Sequence, residues 1–170
     1  MKILVAGVGN MFLGDDGFGV EVARRLARVE LPDGVDVGDF GIRGIHLAYE
    51  LSDYDVTILV DATPRGEPPG TLCALELEEG EPQAVIDAHG MTPDAVLDLV
   101  GVVGGEMRRV LLVGCEPADV SPGMELSPAV AAAVEPAAEL VRELIEEELH
   151  GQAKQIPEAH AAPGGSGTVS

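Results

Sequence analysis

The sequence predicts an α/β protein: a three-layer sandwich in which a largely parallel central sheet of about five strands carries helices on both faces. Two observations predict it. Apolar, β-branched runs alternate with segments of helical period along the chain, the signature of βαβ units. Three of those runs, "ILVAGV" (3–8), "TILVDA" (57–62) and "VLLVGC" (110–115), are apolar almost without a break, as central strands buried on both sides must be.

In order, the chain reads as a strand at "KILVAGV" (2–8), a helix over 17–29, a strand at "VDVGDF" (35–40) and a short helix at "IHLAYELS" (45–52). Strands follow at "VTILVDA" (56–62) and "TLCALEL" (71–77), then a helix at "TPDAVLDLVGVV" (92–103), a strand at "RRVLLVGC" (108–115) and a helix over 127–149. Thr92-Pro93 and Ser127-Pro128 each set a capping hydroxyl before a proline at the first helical position, where a missing N–H costs nothing. Pro136 is expected to kink or divide the last helix, and Glu146-Glu147-Glu148 to form a solvated face. Beyond Gly151 the chain fills with Ala, Pro, Gly and Ser, so one domain over 1–150 and a disordered tail over 151–170, containing His160, are expected.

Composition narrows the function. Hydrophobic residues make up 46% of the 170, but aromatics only 3%, so the core must be aliphatic. A formal charge of −20 repels phosphate backbones and anionic lipid, which argues against nucleic acid or a membrane as partner. The N-terminal run is too short and glycine-rich for a signal peptide or a span, so a cytoplasmic protein is expected. Cys73 and Cys115 lie in strand-like runs without CxxC spacing and read as buried free thiols.

In an open parallel sheet, ligands bind outside the carboxyl ends of the strands. The residues there are mostly acidic. "GVGNMFLGDDGFGV" (7–20) is a glycine-rich strand-to-helix turn, yet Phe12 stands where the dinucleotide fingerprint GxGxxG needs glycine, and Asp15-Asp16 oppose a phosphate at a helix N-terminus. A P-loop lysine is also missing. One aspartate of the pair is expected to cap the helix; a second carboxylate beside it adds repulsion that a cation would relieve. Asp39 and Asp61 end the second and third strands, and His89 lies in the loop ahead of the Thr92 cap. Asp61 by itself also suits a turn-initiating role, and a lone His is commonly a packed or solvated side chain; His46, at helical spacing, reads as packing or surface. Together Asp16, Asp61 and His89 fall on one rim, a three-ligand set for a borderline divalent ion, or groups able to activate water for attack on a carbonyl.

"GVGNMFLGDDGFGV", "DFGIRG" (39–44), "ILVDA" (58–62), "AHGMTPDAVL" (88–97) and "VGCEP…GMELSPAV" (113–130) resemble, in order and spacing, the [NiFe]-hydrogenase maturation endopeptidases, over about residues 1–150. The resemblance implies an α/β fold with a twisted central sheet and an aspartic-type peptidase. The implied activity is removal of the C-terminal extension of a [NiFe]-hydrogenase large-subunit precursor after nickel insertion. It puts the metal-contacting acidic residue on Asp16, where Glu also occurs in the family, the strand-end Asp on Asp61 and the loop His on His89, with the nickel belonging to the precursor. Asp39 and Gly41 match the family's Asp-Gly-Gly-Thr segment and are the implied substrate-recognition positions, while Phe40 and Ile42-Arg43 depart from it. Two other readings stand beside this one: a noncatalytic chaperone gripping the same nickel centre, and a nucleotide-binding oxidoreductase suggested by fold analogy alone.

Overall fold

The computed structural model describes residues 1–41, 50, 53–77 and 109–151. Five strands form one sheet: β1 (Ile3–Val8), β2 (Val35–Gly41), β3 (Val56–Ala62), β4 (Leu72–Leu77) and β5 (Arg109–Cys115). Their order is β2-β1-β3-β5-β4. The β1–β2, β1–β3 and β3–β5 pairs are parallel, whereas β4 runs antiparallel against β5 at one edge. A 3-10 turn (Gly14–Gly17) leads into α1 (Phe18–Leu26), and the described part of the chain closes with α2 (Pro128–Leu149). The predicted helices at 45–52 and 92–103, and nearly all of the predicted tail, lie outside the described residues.

The sheet is buried because its strands carry apolar side chains on both faces. Ile3, Val5, Ile58, Val60, Leu111 and Val113 join Phe18, Val22 and Leu26 of α1 and Val130, Ala137, Val141 and Leu144 of α2 in one core. The four-residue spacing in α1 and the three- and four-residue spacing in α2 keep each apolar stripe on one side of its helix. Side chains alternate along a strand, so Leu4, Ala6, Leu59 and Leu112 point the other way, and they are buried too. No helix among the described residues is long and apolar enough to cross a membrane.

Two local expectations are corrected and a third is narrowed. Of kinking or dividing α2, Pro136 does not divide it: the helix runs unbroken over 22 residues. The apolar positions on either side of Pro136, Ala133 and Ala137, belong to the same core, and this packing outweighs the one hydrogen bond that proline removes. The acidic run is not uniformly solvated: Glu148 is buried, with Oε1 2.9 Å from Arg109 Nε, and Arg109 Nη1 lies 2.9 Å from Glu76 Oε1. Ser127 occupies the N-cap of α2 without making a side-chain cap bond, because its hydroxyl is engaged elsewhere.

Both cysteines are free and buried, as expected. Register explains why they do not pair: Cys73 is opposite Gly114, so Cys115, the next residue along β5, faces the other side of the sheet. Burial pushes the Cys115 thiol up to about 12 and the Cys73 thiol upward as well.

Two glycines let α1 approach the sheet. A Cβ on Gly19 would overlap the Val60 and Val8 carbonyls, and one on Gly7 would meet the Gly19 carbonyl. Alanine at an exposed helix position ordinarily stabilises by about 1 kcal/mol over glycine. At Gly19 the sign reverses, since backbone rather than a flexible side chain fills the space. Gly19→Ala is expected to lower the unfolding free energy by about 2 kcal/mol, read as a fall in the urea midpoint; an unchanged or higher midpoint would refute the close-packing account.

Candidate active site

The site forms where β1 and β3, neighbours in the sheet, end side by side. After Val8 the chain turns through Gly9, whose φ of +123° suits glycine alone. A side chain there would strike the Asp16 carbonyl and come within 3.1 Å of Asp61 Oδ1. Gly9 is thus the thin partition against which both acidic positions pack. The next residue completes the arrangement: Asn10 donates its backbone N–H to Asp16 Oδ2 at 2.8 Å. Asp61, the penultimate residue of β3, accepts the N–H of Ala62 through Oδ1 at 2.8 Å. The two carboxylates are 5% and 2% exposed, respectively, so neither is an ordinary solvated acid. Two buried carboxylates drawn to one short segment repel each other, and a cation or a set of donors relieves that repulsion.

Asp15 does different work. Its Oδ2 accepts the N–H groups of Ala118 (2.8 Å) and Asp119 (3.0 Å) and the Ser127 hydroxyl (2.8 Å), while Oδ1 accepts the Ser127 N–H (2.7 Å). The side chain is fully buried. Burial by itself raises the proton affinity of the carboxyl, but the bonds from Ser127, Asp119 and Ala118 outweigh it and hold the group below its ordinary value of 3.8. Helix capping was expected of one member of the pair, yet neither the 3-10 turn nor α1 has a side-chain cap. Asp15 instead ties the glycine loop to the segment after β5 and to the start of α2. Backbone bonds reinforce the tie: Asp15 N–H to the Asp119 carbonyl (2.9 Å) and Gly14 N–H to the Gly123 carbonyl (2.8 Å).

These bonds also remove the phosphate cradle. Of the seven N–H groups from Asn10 to Asp16, six are engaged: by Asp16 Oδ2 (Asn10), Asn10 Oδ1 (Phe12), the Asn10 carbonyl (Leu13), the Gly123 carbonyl (Gly14), the Asp119 carbonyl (Asp15) and the Leu13 carbonyl (Asp16). A loop with most of its donors already engaged, beside buried carboxylates, does not suit a pyrophosphate.

The other predicted positions fall as follows. Asp39 pairs with Gly7 and Gly41 with Val8, with an irregularity in register between them, so β2 delivers both to the same rim. The strand runs one residue past the predicted 35–40, to Gly41. Asp39 is exposed, with Oδ2 3.7 Å from Arg24 Nε of α1. His89 and His46 lie outside the described residues, and among the described residues no three His, Cys, Asp or Glu side chains form a metal-sized cluster. Sequence reasoning missed Gly9 and Asn10. The signal was present, since an Asn ahead of a turn bonds the backbone two residues on.

Comparison with known proteins gives this arrangement its class. A family model described as hydrogenase maturation protease matches residues 20–144. The hydrogenase 2 maturation protease of Escherichia coli K12 is 35% identical over 145 residues, covering 83% of this chain and 88% of the relative. Among solved structures, the hydrogenase maturating endopeptidase HybD from E. coli superposes with a TM-score of 0.70 at 30% identity, covering 89% of this chain and 94% of that one. A hydrogenase 2 maturation peptidase from a Thaumarchaeota archaeon gives 0.65 at 32% identity, covering 89% and 99%. The chain belongs to the hydrogenase maturation protease family.

The Asp15 tie has a pH signature. A carboxylate held below its ordinary value contributes stability that is complete above about pH 4 and is lost as pH falls through the folded-state value. Asp15→Asn is expected to cost about 3 kcal/mol at pH 7, because donors that served a buried charge lose it. The gap to wild type should shrink as pH falls below 4 in urea unfolding; a gap independent of pH would refute the charge-based tie.

Proposed function

We propose that this protein is an endopeptidase that removes the C-terminal extension of a [NiFe]-hydrogenase large-subunit precursor after nickel has been inserted. The observation that carries the reading is the pair of buried carboxylates, Asp16 and Asp61, gathered on Gly9-Asn10 at the carboxyl ends of β1 and β3. Family membership supplies the reaction class. The cysteines support carboxylate rather than thiolate chemistry: both are buried, with thiol protons held more tightly than usual, the reverse of an activated nucleophile.

In this reading Asp16, Asp61 and His89 engage the nickel centre of the precursor, which is part of the substrate. A precursor centre that carries the metal adds a cation beside two buried carboxylates, and an empty centre does not, so a loaded precursor binds by differential affinity. Engagement sets the scissile bond on the rim. A water polarised there, or deprotonated by one of the carboxylates, adds its oxygen to the carbonyl carbon; the C–N bond breaks and the departing amine takes up a proton. On this account the peptidase is of the aspartic type, although its carboxylates also hold the substrate's metal. Asp39 and Gly41, on the adjoining strand, recognise the precursor beyond the centre. The protease unit comprises residues 1–150, with 151–170 outside it, and it acts in the cytoplasm.

Incubation of nickel-loaded precursor with wild type and with Asp16→Asn, Asp61→Asn and His89→Ala tests the assignment. Wild type is expected to shorten the precursor to a defined mass, and each variant to lower kcat/KM by about a hundredfold or more. Undiminished cleavage by all three variants would sink the assignment. A precursor held in a complex but never shortened would favour the chaperone instead.

A further inference from the structure

Among the described residues, three large apolar side chains are mostly exposed: Met1, Phe12 and Met124, at 62%, 59% and 66%. Met1 stands at the amino end of β1, away from the site. Phe12 and Met124 come from distant parts of the sequence to neighbouring segments, and Phe12 lies two residues along the turn from Asn10. A bridge between Leu13 and Gly123 joins their two segments, and the Gly123 N–H donates to the Phe12 carbonyl at 2.9 Å. Asn10 fixes Phe12 from the other side, accepting its N–H through Oδ1 at 2.9 Å, while its own N–H holds Asp16 Oδ2. The residue that holds one site carboxylate therefore also holds the backbone of Phe12.

The backbone around Phe12 and Met124 is thus fastened by hydrogen bonds while both side chains stand in water. A rigid mount for exposed apolar groups marks a surface awaiting a partner. A second copy of this chain or an anionic lipid surface meets a molecule of charge −20, which opposes both. The precursor is the occupant the position favours, because Phe12 is bonded to Asn10, the residue whose N–H holds Asp16, and Gly123, next to Met124, is bonded to Phe12.

We propose that Phe12 and Met124 dock an apolar segment of the large-subunit precursor next to the scissile bond, and so set which bond reaches Asp16 and Asp61. This rests on the endopeptidase reading above. The binding is apolar and precedes the chemistry, so the patch acts on substrate affinity and register rather than on the hydrolytic step.

Steady-state cleavage of nickel-loaded precursor by the double variant Phe12→Ser, Met124→Ser is the test. KM is expected to rise about tenfold with kcat within about twofold of wild type, and Phe12→Leu, which keeps an apolar group, is expected to stay near wild type. The positions are exposed, so unchanged thermal unfolding is expected to accompany the loss. Wild-type cleavage with an unchanged KM in the double variant would overturn the docking surface alone. A wild type that leaves the mass of the precursor unchanged would overturn the endopeptidase reading, and this inference with it. A dimer in sedimentation that the double variant dissolves, with KM unaltered, would reassign the patch to self-association and overturn the proposal.

Discussion

The buried Asp15 carboxylate is the interaction on which the site depends. A glycine-rich turn at the end of a strand is soft by composition, and its N–H groups are ordinarily available to a ligand. Here four donors from Ala118, Asp119 and Ser127 converge on one side chain of that turn. They bind the turn to the segment that follows β5 and to the first turn of α2, closing a loop of structure across the sheet. A charged acceptor makes each of those bonds stronger than a neutral one would be, which is what offsets the cost of removing the carboxylate from water.

With Asp15 committed to the scaffold, its neighbour Asp16 is left to the site. The two aspartates are adjacent in sequence and divided in function by the direction of the 3-10 turn that carries them. One looks toward the segment after β5; the other reaches back to the N–H of Asn10, against the glycine that also packs on Asp61. Six of the seven N–H groups from Asn10 to Asp16 are already engaged within the protein, so the loop that looks like an anion cradle is built to present negative charge. A partner bearing a cation fits such a rim, and a phosphate does not.

Much of this was legible in the sequence, and the reasons differ by element. The central strands announced themselves because burial on both faces demands unbroken apolar runs, and the strand ends bring the Asp16 carbonyl and the Asp61 carboxylate to the same glycine, Gly9. The antiparallel direction of β4 was not legible, since "TLCALEL" reads alike either way and only pairing with β5 sets its sense. Ser127 matched a capping pattern, but its hydroxyl serves Asp15 far away in the chain, and local rules carry no information about such a partner. Glu148 looked like a solvated member of an acidic run until the Arg109 guanidinium, from another element, drew it inward. Gly9 was visible as a glycine, though not as the partition between two acids, because that role depends on what β3 brings beside it.

The central claim is that the rim carboxylates meet the nickel of the precursor. Nickel-edge X-ray absorption of the loaded precursor, alone and in complex with the protein, addresses it most directly. The account predicts that the nickel gains oxygen and nitrogen ligands on binding wild type, and gains fewer on binding Asp16→Asn or Asp61→Asn. A coordination sphere that stays the same on complex formation, while the precursor is still cleaved, would contradict it.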